Sequence, residues 1–285
     1  MFLFRKKHTS IRHVLVHQCG KVGSSTLVST IRASAPALNV LQVHFITGHY
    51  LRQFRDMIGL PDTPPDFAGS TEKLLRDAEK AREILRDVDP REICVISGFR
   101  DPLDRAVSAW AQNFRHFYPE LTYADANRAG ELAFLRDDFE RLFDAATGPA
   151  GRNDFRSRQG EWLLIDSSLL WFEREFCPAH GLKEQAIAPG NRGVRSFRHK
   201  GSLFLLYRFE ALRNDMERLV RMLPLEEYRK VDKNVSSAKP YGALLADFRG
   251  IFRPRGDIWD YYYGSHYFQT FYPGAQARYP KALKD

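Results

Sequence analysis

The chain has 285 residues, and its 43 Lys and Arg against 35 Asp and Glu give a formal net charge of +8. Hydrophobic residues make up 44% of the chain and aromatic residues 13%, which excludes a disordered protein, because such chains bury too little apolar surface to offset the entropy of ordering. The positive charge favours an anionic ligand or partner, without selecting among nucleic acid, lipid, glycan and nucleotide phosphates.

The cysteines and the first residues favour a reducing, cytoplasmic location. Cys19, Cys94 and Cys177 are too few and too far apart for a disulfide framework, and no C-x-x-C pair indicates a metal. In the first ten residues the basic side chains follow the apolar ones, which is the reverse of a signal peptide. No stretch approaches the roughly 18 apolar residues of a membrane-spanning helix. We therefore expect a cytoplasmic protein without a membrane span.

Short apolar strands alternate with helices along most of the chain. Strands are predicted where apolar and β-branched residues form short runs, at 13–17, 40–46, 93–99 and 203–207. Helices are predicted where apolar residues recur every three or four positions, at 24–34, 71–88, 103–115 and 210–222. The Gly- and Pro-rich residues 59–70 are predicted to form a loop. This alternation is typical of an α/β fold with a central parallel sheet flanked by helices.

The middle of the chain departs from that alternation. Residues 116–200 are richer in aromatic residues and arginine, and helices are predicted near 131–146 and 160–175. The basic stretch 192–200 is predicted to be a solvated loop, with binding of an anionic glycan or of the nucleotide phosphate as the alternative. We expect one α/β domain over residues 1–285, with about 116–200 forming a helical insertion or cap.

A glycine-containing turn between the first strand and the first helix is the clearest sign of a binding site. Gly20 and Gly23 allow backbone amides to converge on an anion, and the helix start adds N–H donors and a favourable dipole. Three consecutive hydroxyl residues, 24–26, add further donors, and Lys21 adds a point charge. The order differs from the NTPase pattern G-x-x-x-x-G-K-[ST], because Lys21 precedes the second glycine.

A second polar segment, RDPLDRAVS, directly follows strand 93–99. Arg100 stands at the carboxyl end of that strand, where open α/β sheets bind their ligands. Asp101 and Pro102 form a favourable helix start. Ser108 lies eight residues after Arg100, about two helical turns, so it can face the same crevice.

Taken together, strand–KVGSST–helix and strand–RDPLDRAVS–helix resemble the 5′-phosphosulfate loop and the 3′-phosphate motif of sulfotransferases that use 3′-phosphoadenosine 5′-phosphosulfate (PAPS). Together with KNVSSAKPY near the end of the chain, the sequences of these segments are most similar to those of bacterial putative sulfotransferases described as capsular polysaccharide synthesis proteins. The resemblance is strong over 13–32 and 93–112, moderate over 203–213 and 232–241, and absent over most of 116–200. It implies a P-loop-containing, sulfotransferase-like fold.

The resemblance also implies roles for particular residues. Those that would hold the 5′-phosphosulfate are Lys21, Gly23, Ser24, Ser25 and Thr26. Those that would hold the 3′-phosphate are Arg100 and Ser108. A loop near the end of the chain, here called the late loop, would close over the nucleotide, and its binding residues would be Asn234, Ser236, Ser237 and Lys239.

Sulfuryl transfer needs in-line positioning, stabilisation of the leaving phosphate and a base for the acceptor hydroxyl. Lys21 suits the stabilising role. His44, at the end of strand 40–46, is the first candidate for the base, because an imidazole with its ordinary pKa of about 6.5 is a base near neutral pH. His49, Glu173 and Glu175 are the other candidates. We find no convincing ligand cluster for a metal and expect none to be required.

The sequence therefore predicts an enzyme that transfers the sulfuryl group of PAPS to a hydroxyl group, leaving PAP (3′-phosphoadenosine 5′-phosphate). The resemblance favours a saccharide or a capsular or surface polysaccharide as the acceptor. One alternative is a P-loop nucleotide kinase or NTPase. Another is a non-catalytic module that binds a nucleotide or an anionic glycan. No nucleic-acid-binding motif is found in residues 116–200, so we expect no nucleic-acid partner.

Overall fold

A computed structural model of the chain describes residues 10–118, 122, 129–148, 154–188, 193–232 and 240–273. The chain divides into two compact units. The first unit comprises residues 1–48, 72–100 and 191–234, and the second comprises residues 49–71, 101–190 and 235–285.

In the described part of the first unit, five strands form one sheet. They are β1 His13–His17, β2 Asn39–Val43, β3 Ile93–Phe99, β4 Val194–His199 and β5 Ser202–Arg208. Their spatial order is β2-β1-β3-β5-β4, and every neighbouring pair is parallel except β4 and β5, which are antiparallel. Every residue of β3 is buried, as expected for a central strand of a parallel sheet. The predicted α/β fold with helices flanking a sheet is confirmed, and the sheet is mostly, not wholly, parallel.

Helices account for most of the remaining described residues. In chain order they are α1 Ser24–Ser34, α2 Gly48–Ile58, α3 Pro65–Asp87, α4 Pro102–Gln112, α5 Phe114–Phe117, α6 Ala129–Thr147, α7 Phe155–Gly160, α8 Cys177–His180, α9 Glu184–Ile187, α10 Phe209–Val220, α11 Gly242–Ile251, α12 Gly256–Tyr263 and α13 His266–Phe271. A 3₁₀ turn, Pro90–Glu92, precedes β3, and two π-helical segments, π1 Glu161–Leu170 and π2 Phe172–Phe176, follow α7. Within the described ranges, no helix has the length and apolar character needed to cross a bilayer.

The core of the first unit lies between one face of the sheet and the helices α1 and α10. Alternate residues of β1, β3 and β5 point to this core, since successive side chains of a strand face opposite sides. These strand residues are Val14, Val16, Cys94, Ile96, Leu203, Leu205 and Tyr207. They pack against apolar residues of α1 and α10, namely Leu27, Val28, Ile31, Leu212, Met216 and Leu219.

Aromatic residues build the core of the second unit. The Trp110 ring lies 4.6 Å from that of Phe248 and 5.8 Å from that of Phe139, measured between centroids. The buried Tyr262 hydroxyl donates to the Leu164 carbonyl at 2.7 Å. Tyr262 thereby fixes α12 to π1.

Four predicted elements differ from the structure. The predicted strand 40–46 already ends at Val43, so His44 follows β2 and is not part of it. The predicted loop 59–70 is wrong over residues 65–70, which already belong to α3; Pro65 can start a helix because the first helical turn needs no N–H donor. The predicted loop 192–200 is wrong over Val194–His199, which forms β4. Charged side chains such as Arg198 are tolerated there because an edge strand faces solvent. The predicted helix 160–175 is largely π-helical.

Candidate functional site

The order of the sheet reverses between β1 and β3. From β1 the chain passes through α1 to β2 on one side, and it then returns to β3 on the other side of β1. In open parallel sheets, ligands bind outside the carboxyl ends of the strands at such a reversal. Residues 18–23, here called the glycine loop, follow β1 at this place, and Arg100 directly follows β3. The first unit therefore places the glycine loop and Arg100 at one edge of the sheet.

The glycine loop has an unusual backbone. The angle φ is 89° at Gly20, 60° at Lys21 and 78° at Gly23. A lysine in the left-handed region is uncommon and must be held there by its surroundings. At Gly23 a Cβ would lie 2.7 Å from Leu212 Cδ2. Gly23 is therefore required both by its backbone angle and by the space around it.

Two side chains from the strand ends hold the carbonyl groups of this loop. Arg100 Nη1 donates to the Lys21 carbonyl at 2.8 Å, and the Tyr207 hydroxyl donates to the Val22 carbonyl at 2.8 Å. Burial raises the pKa of Tyr207, so its hydroxyl keeps its proton and remains a donor. In a trans peptide the carbonyl and the following N–H point in opposite directions. The amides of Val22 and Gly23 therefore point away from Arg100 and Tyr207.

The first turn of α1 adds donors to the same loop. Its N-cap residue is Gly23, which has no side chain to accept from the helix N–H groups, and the turn contains no acidic residue. Such a helix start attracts an anion through its N–H groups and its dipole. Ser25 and Thr26 are partly exposed, whereas Ser24 is buried and its Oγ accepts from Gln42 Nε2 at 3.2 Å. Ser24 thus also ties α1 to β2.

Arg100 is a fixed cation beneath the loop. It is 6% exposed, and besides its bond to Lys21 its guanidinium lies over the Phe209 ring, 4.2 Å from the centroid. Such a cation–π contact adds about 1–2 kcal/mol where water is excluded. Arg100 is therefore held by β3, by the glycine loop and by the start of α10.

His44 is linked to the glycine loop through Gln18. His44 Nδ1 lies 2.8 Å from the Gln18 carbonyl oxygen and 3.3 Å from Gln18 Nε2. The 2.8 Å contact is to a carbonyl oxygen, which can only accept, and it therefore corresponds to the tautomer with the proton on Nδ1. In that tautomer Gln18 Nε2, itself a donor, is a close contact of Nδ1 and not a hydrogen-bond partner. Gln18 Oε1 in turn accepts from the Gly20 amide. The residue that we expect to act as a base is thus held against the glycine loop by Gln18.

The remaining predicted site residues lie in the second unit or outside the described residues. Ser108 is buried in α4, a helix capped by Asp101, whose Oδ1 accepts from the Asp104 amide at 2.9 Å. His49 is exposed on α2, Glu173 is exposed in π2, and Glu175 is fully buried there. The predicted late-loop residues, which fall within 233–239 and outside the described residues, are Asn234, Ser236, Ser237 and Lys239.

The sequence analysis missed two residues that shape this site. Gln18 bonds both the Gly20 amide and His44, and Phe209 supports Arg100. Gln18 could have been found from its position, since it is the first residue after β1 at the edge of the sheet where ligands bind. For Phe209 nothing in the sequence pattern gave a signal, because its contact to Arg100 joins residues more than 100 positions apart.

Within the described ranges, no group of three or more His, Cys, Asp or Glu side chains is arranged to hold a metal ion. Compared with known proteins, the chain matches no family model, no curated protein and no solved structure. The geometry of the site and the motifs of the sequence are therefore the basis for assigning a function.

Proposed function

We propose that the protein is a PAPS-dependent sulfotransferase that sulfates a hydroxyl group, in keeping with the resemblance of its two motifs. The observation that carries the proposal is the glycine loop at the sheet reversal. Its amides at Val22 and Gly23, the start of α1 and Lys21 together suit a phosphosulfate group. The proposal includes the P-loop-containing sulfotransferase-like fold.

The reaction asks three things of these residues. The acceptor oxygen forms a bond to sulfur while the bond from sulfur to the bridging oxygen of PAPS breaks, which leaves PAP and a sulfate ester. The proton of the acceptor hydroxyl passes to His44 Nε2. The negative charge that develops on the leaving phosphate is stabilised by the Lys21 ammonium group and the loop amides.

The fixed position of Arg100 supports its assignment to the 3′-phosphate. A guanidinium group has five N–H donors in a rigid plane, and in Arg100 one of them donates to the Lys21 carbonyl. Because Phe209 and the loop already orient the plane, little side-chain entropy remains to be lost on binding. Ser108 and the late-loop residues Asn234, Ser236, Ser237 and Lys239 keep the roles that the resemblance implies. The acceptor is proposed to be a saccharide on the same ground.

The nucleotide is tested by titrating the purified protein with PAP and with ATP in a calorimeter. We expect PAP to bind and ATP to bind at least tenfold more weakly. Arg100→Ala should lower the PAP affinity by about tenfold or more, the usual effect of losing a charged hydrogen bond. Tighter binding of ATP than of PAP would overturn the proposal in favour of a kinase or NTPase.

Catalysis is tested with PAPS carrying a labelled sulfuryl group and a panel of saccharide acceptors. Lys21→Ala should reduce transfer by about 100-fold, as loss of one donor to a developing oxyanion does elsewhere. Lys80→Ala, an exposed lysine of α3, is the matched control and should transfer at the wild-type rate. A folded Lys21→Ala variant with wild-type transfer would refute the mechanism. PAP binding without transfer to any acceptor of the panel would favour the non-catalytic module.

A further inference from the structure

The second unit contains a polar cleft that the proposed nucleotide site does not use. Its volume is about 420 Å³, within the range of clefts that bind small molecules. One wall comes from α2, where the four lining residues are His49, Arg52, Gln53 and Asp56. Their spacing of three, four and seven places them on a single face of the helix. The opposite face of α2 is apolar and buried through residues such as Phe54.

The other wall comes from α7 and the π-helical segments, through Arg158, Glu161, Asp166 and Arg174. Glu161 and Asp166 are five residues apart in π1, and the π-helix joins residues i and i+5. The wide turns of π1 therefore bring both carboxylates to the same face, which an α-helix would not do. π-Helical turns inside helices occur frequently at functional sites.

A buried carboxylate organises the cleft. Asp166 is 2% exposed. Its Oδ1 accepts from Arg174 Nη1 at 2.9 Å, and its Oδ2 accepts from Gln53 Nε2 at 3.4 Å. A charge this deeply buried is retained only when it is paired and hydrogen-bonded. Asp166 therefore fixes one side chain from each wall, so the cleft is formed before a ligand arrives.

The charges of the lining residues balance. Three arginines face three carboxylates. Partial desolvation of the His49 ring in the cleft, with Arg174 and Arg52 close by, lowers the pKa of this histidine despite Glu175, so it is neutral at neutral pH. A balanced lining gives no net attraction for a multiply charged anion such as a nucleotide. It instead offers neighbouring donors and acceptors, which suit groups that both donate and accept.

We propose that this cleft binds a sugar residue, whose hydroxyl groups each accept from a guanidinium or amide group and donate to a carboxylate of the lining. A hydroxyl group is a donor and an acceptor at once, and adjacent hydroxyls on a rigid ring match alternating Arg and Asp or Glu side chains. Because sugar binding needs no nucleotide, this proposal and the proposed sulfuryl transfer can fail separately.

The test is saturation-transfer NMR on the whole chain without nucleotide. The probes are glucose, galactose, N-acetylglucosamine and glucuronic acid, with inorganic phosphate and glycine as competitors. We expect saturation transfer to at least one sugar, unaffected by either competitor. Arg52→Ala and Asp56→Ala should each lower the affinity for that sugar by about tenfold or more, because each variant removes a charged hydrogen-bond partner of a sugar hydroxyl.

Arg55→Ala is the matched control, because Arg55 is exposed on the same helix but does not line the cleft. It should bind the sugar as the wild type does. Circular dichroism should show unchanged folding in all three variants, since each places alanine on an exposed helical position. Each of three outcomes would overturn the proposal. They are no saturation transfer to any of the four sugars, equal sugar binding by the two cleft variants and the control, and displacement of the sugar by glycine or phosphate.

Discussion

Replacing Gly23 by alanine tests the geometry on which the glycine loop depends. At φ 78° a residue with a Cβ pays about 1–2 kcal/mol for the left-handed conformation. The new Cβ would also lie 2.7 Å from Leu212 Cδ2 and 3.3 Å from Phe209 Cε2, and crowding of this kind in a packed core costs about 1–3 kcal/mol. We therefore expect Gly23→Ala to lower the free energy of unfolding by about 2–5 kcal/mol.

The assay is urea unfolding followed by circular dichroism, with PAP affinity measured in parallel. Gly69→Ala is the matched control, because Gly69 lies inside α3 with no atom within 4 Å of an added Cβ. Alanine in a helix interior is favoured over glycine by about 0.5–1 kcal/mol, so this variant should be slightly stabilised and bind PAP normally. A Gly23→Ala variant within about 0.5 kcal/mol of the wild type would refute the reasoning.

A double variant separates the two costs. Leu212→Ala alone should destabilise by about 2–5 kcal/mol, since Leu212 is 5% exposed in the core. Combined with Gly23→Ala, it removes the crowding at Leu212 but leaves the backbone cost. The double variant should therefore be less destabilised than the sum of the two single variants, by about 1–2 kcal/mol. Strict additivity would show that Leu212 does not restrict this position.

Two further predictions concern hydrogen bonding and pH. Tyr207→Phe should lower the free energy of unfolding in urea by about 1–3 kcal/mol, because it leaves the buried Val22 carbonyl without its donor, and it should also lower the affinity for PAP. The control Tyr262→Phe, which loses the bond to Leu164, should lose similar stability and keep its PAP affinity. Equal PAP affinity in both variants would contradict this role of Tyr207. Burial raises the pKa of Glu184, against the pull of His266 at 3.0 Å, so the folded chain binds this proton more tightly than the unfolded chain. The stability that this proton contributes is complete below about pH 4.5 and is lost as the pH rises through the raised pKa of Glu184. In unfolding measurements from about pH 4 to 7, Glu184→Gln should not show this loss of stability. Identical pH profiles of the variant and the wild type would show that Glu184 does not cause the loss.

Local patterns in the sequence were sufficient for much of the first unit. The four parallel strands, the glycine loop and the position of Arg100 could be predicted, because burial leaves unbroken apolar runs and a tight turn requires glycine. The edge strand β4 could not, since most of its residues are only partly buried and it carries no apolar run. The π-helical conformation of π1 could not be predicted either, because the pattern of its apolar residues is compatible with an ordinary α-helix.

The sequence by itself determined which residues surround the proposed anion site: Lys21, Gly23 and Arg100 follow from their positions at the strand ends. Only the tertiary structure decided how they are held. Arg100 reaches the Lys21 carbonyl across 79 residues, and Tyr207 reaches the Val22 carbonyl across 185. The same is true of the cleft in the second unit, where Gln53 meets Asp166 across 113 residues. Side chains so far apart in the chain come together through packing of the core, which local propensity does not encode.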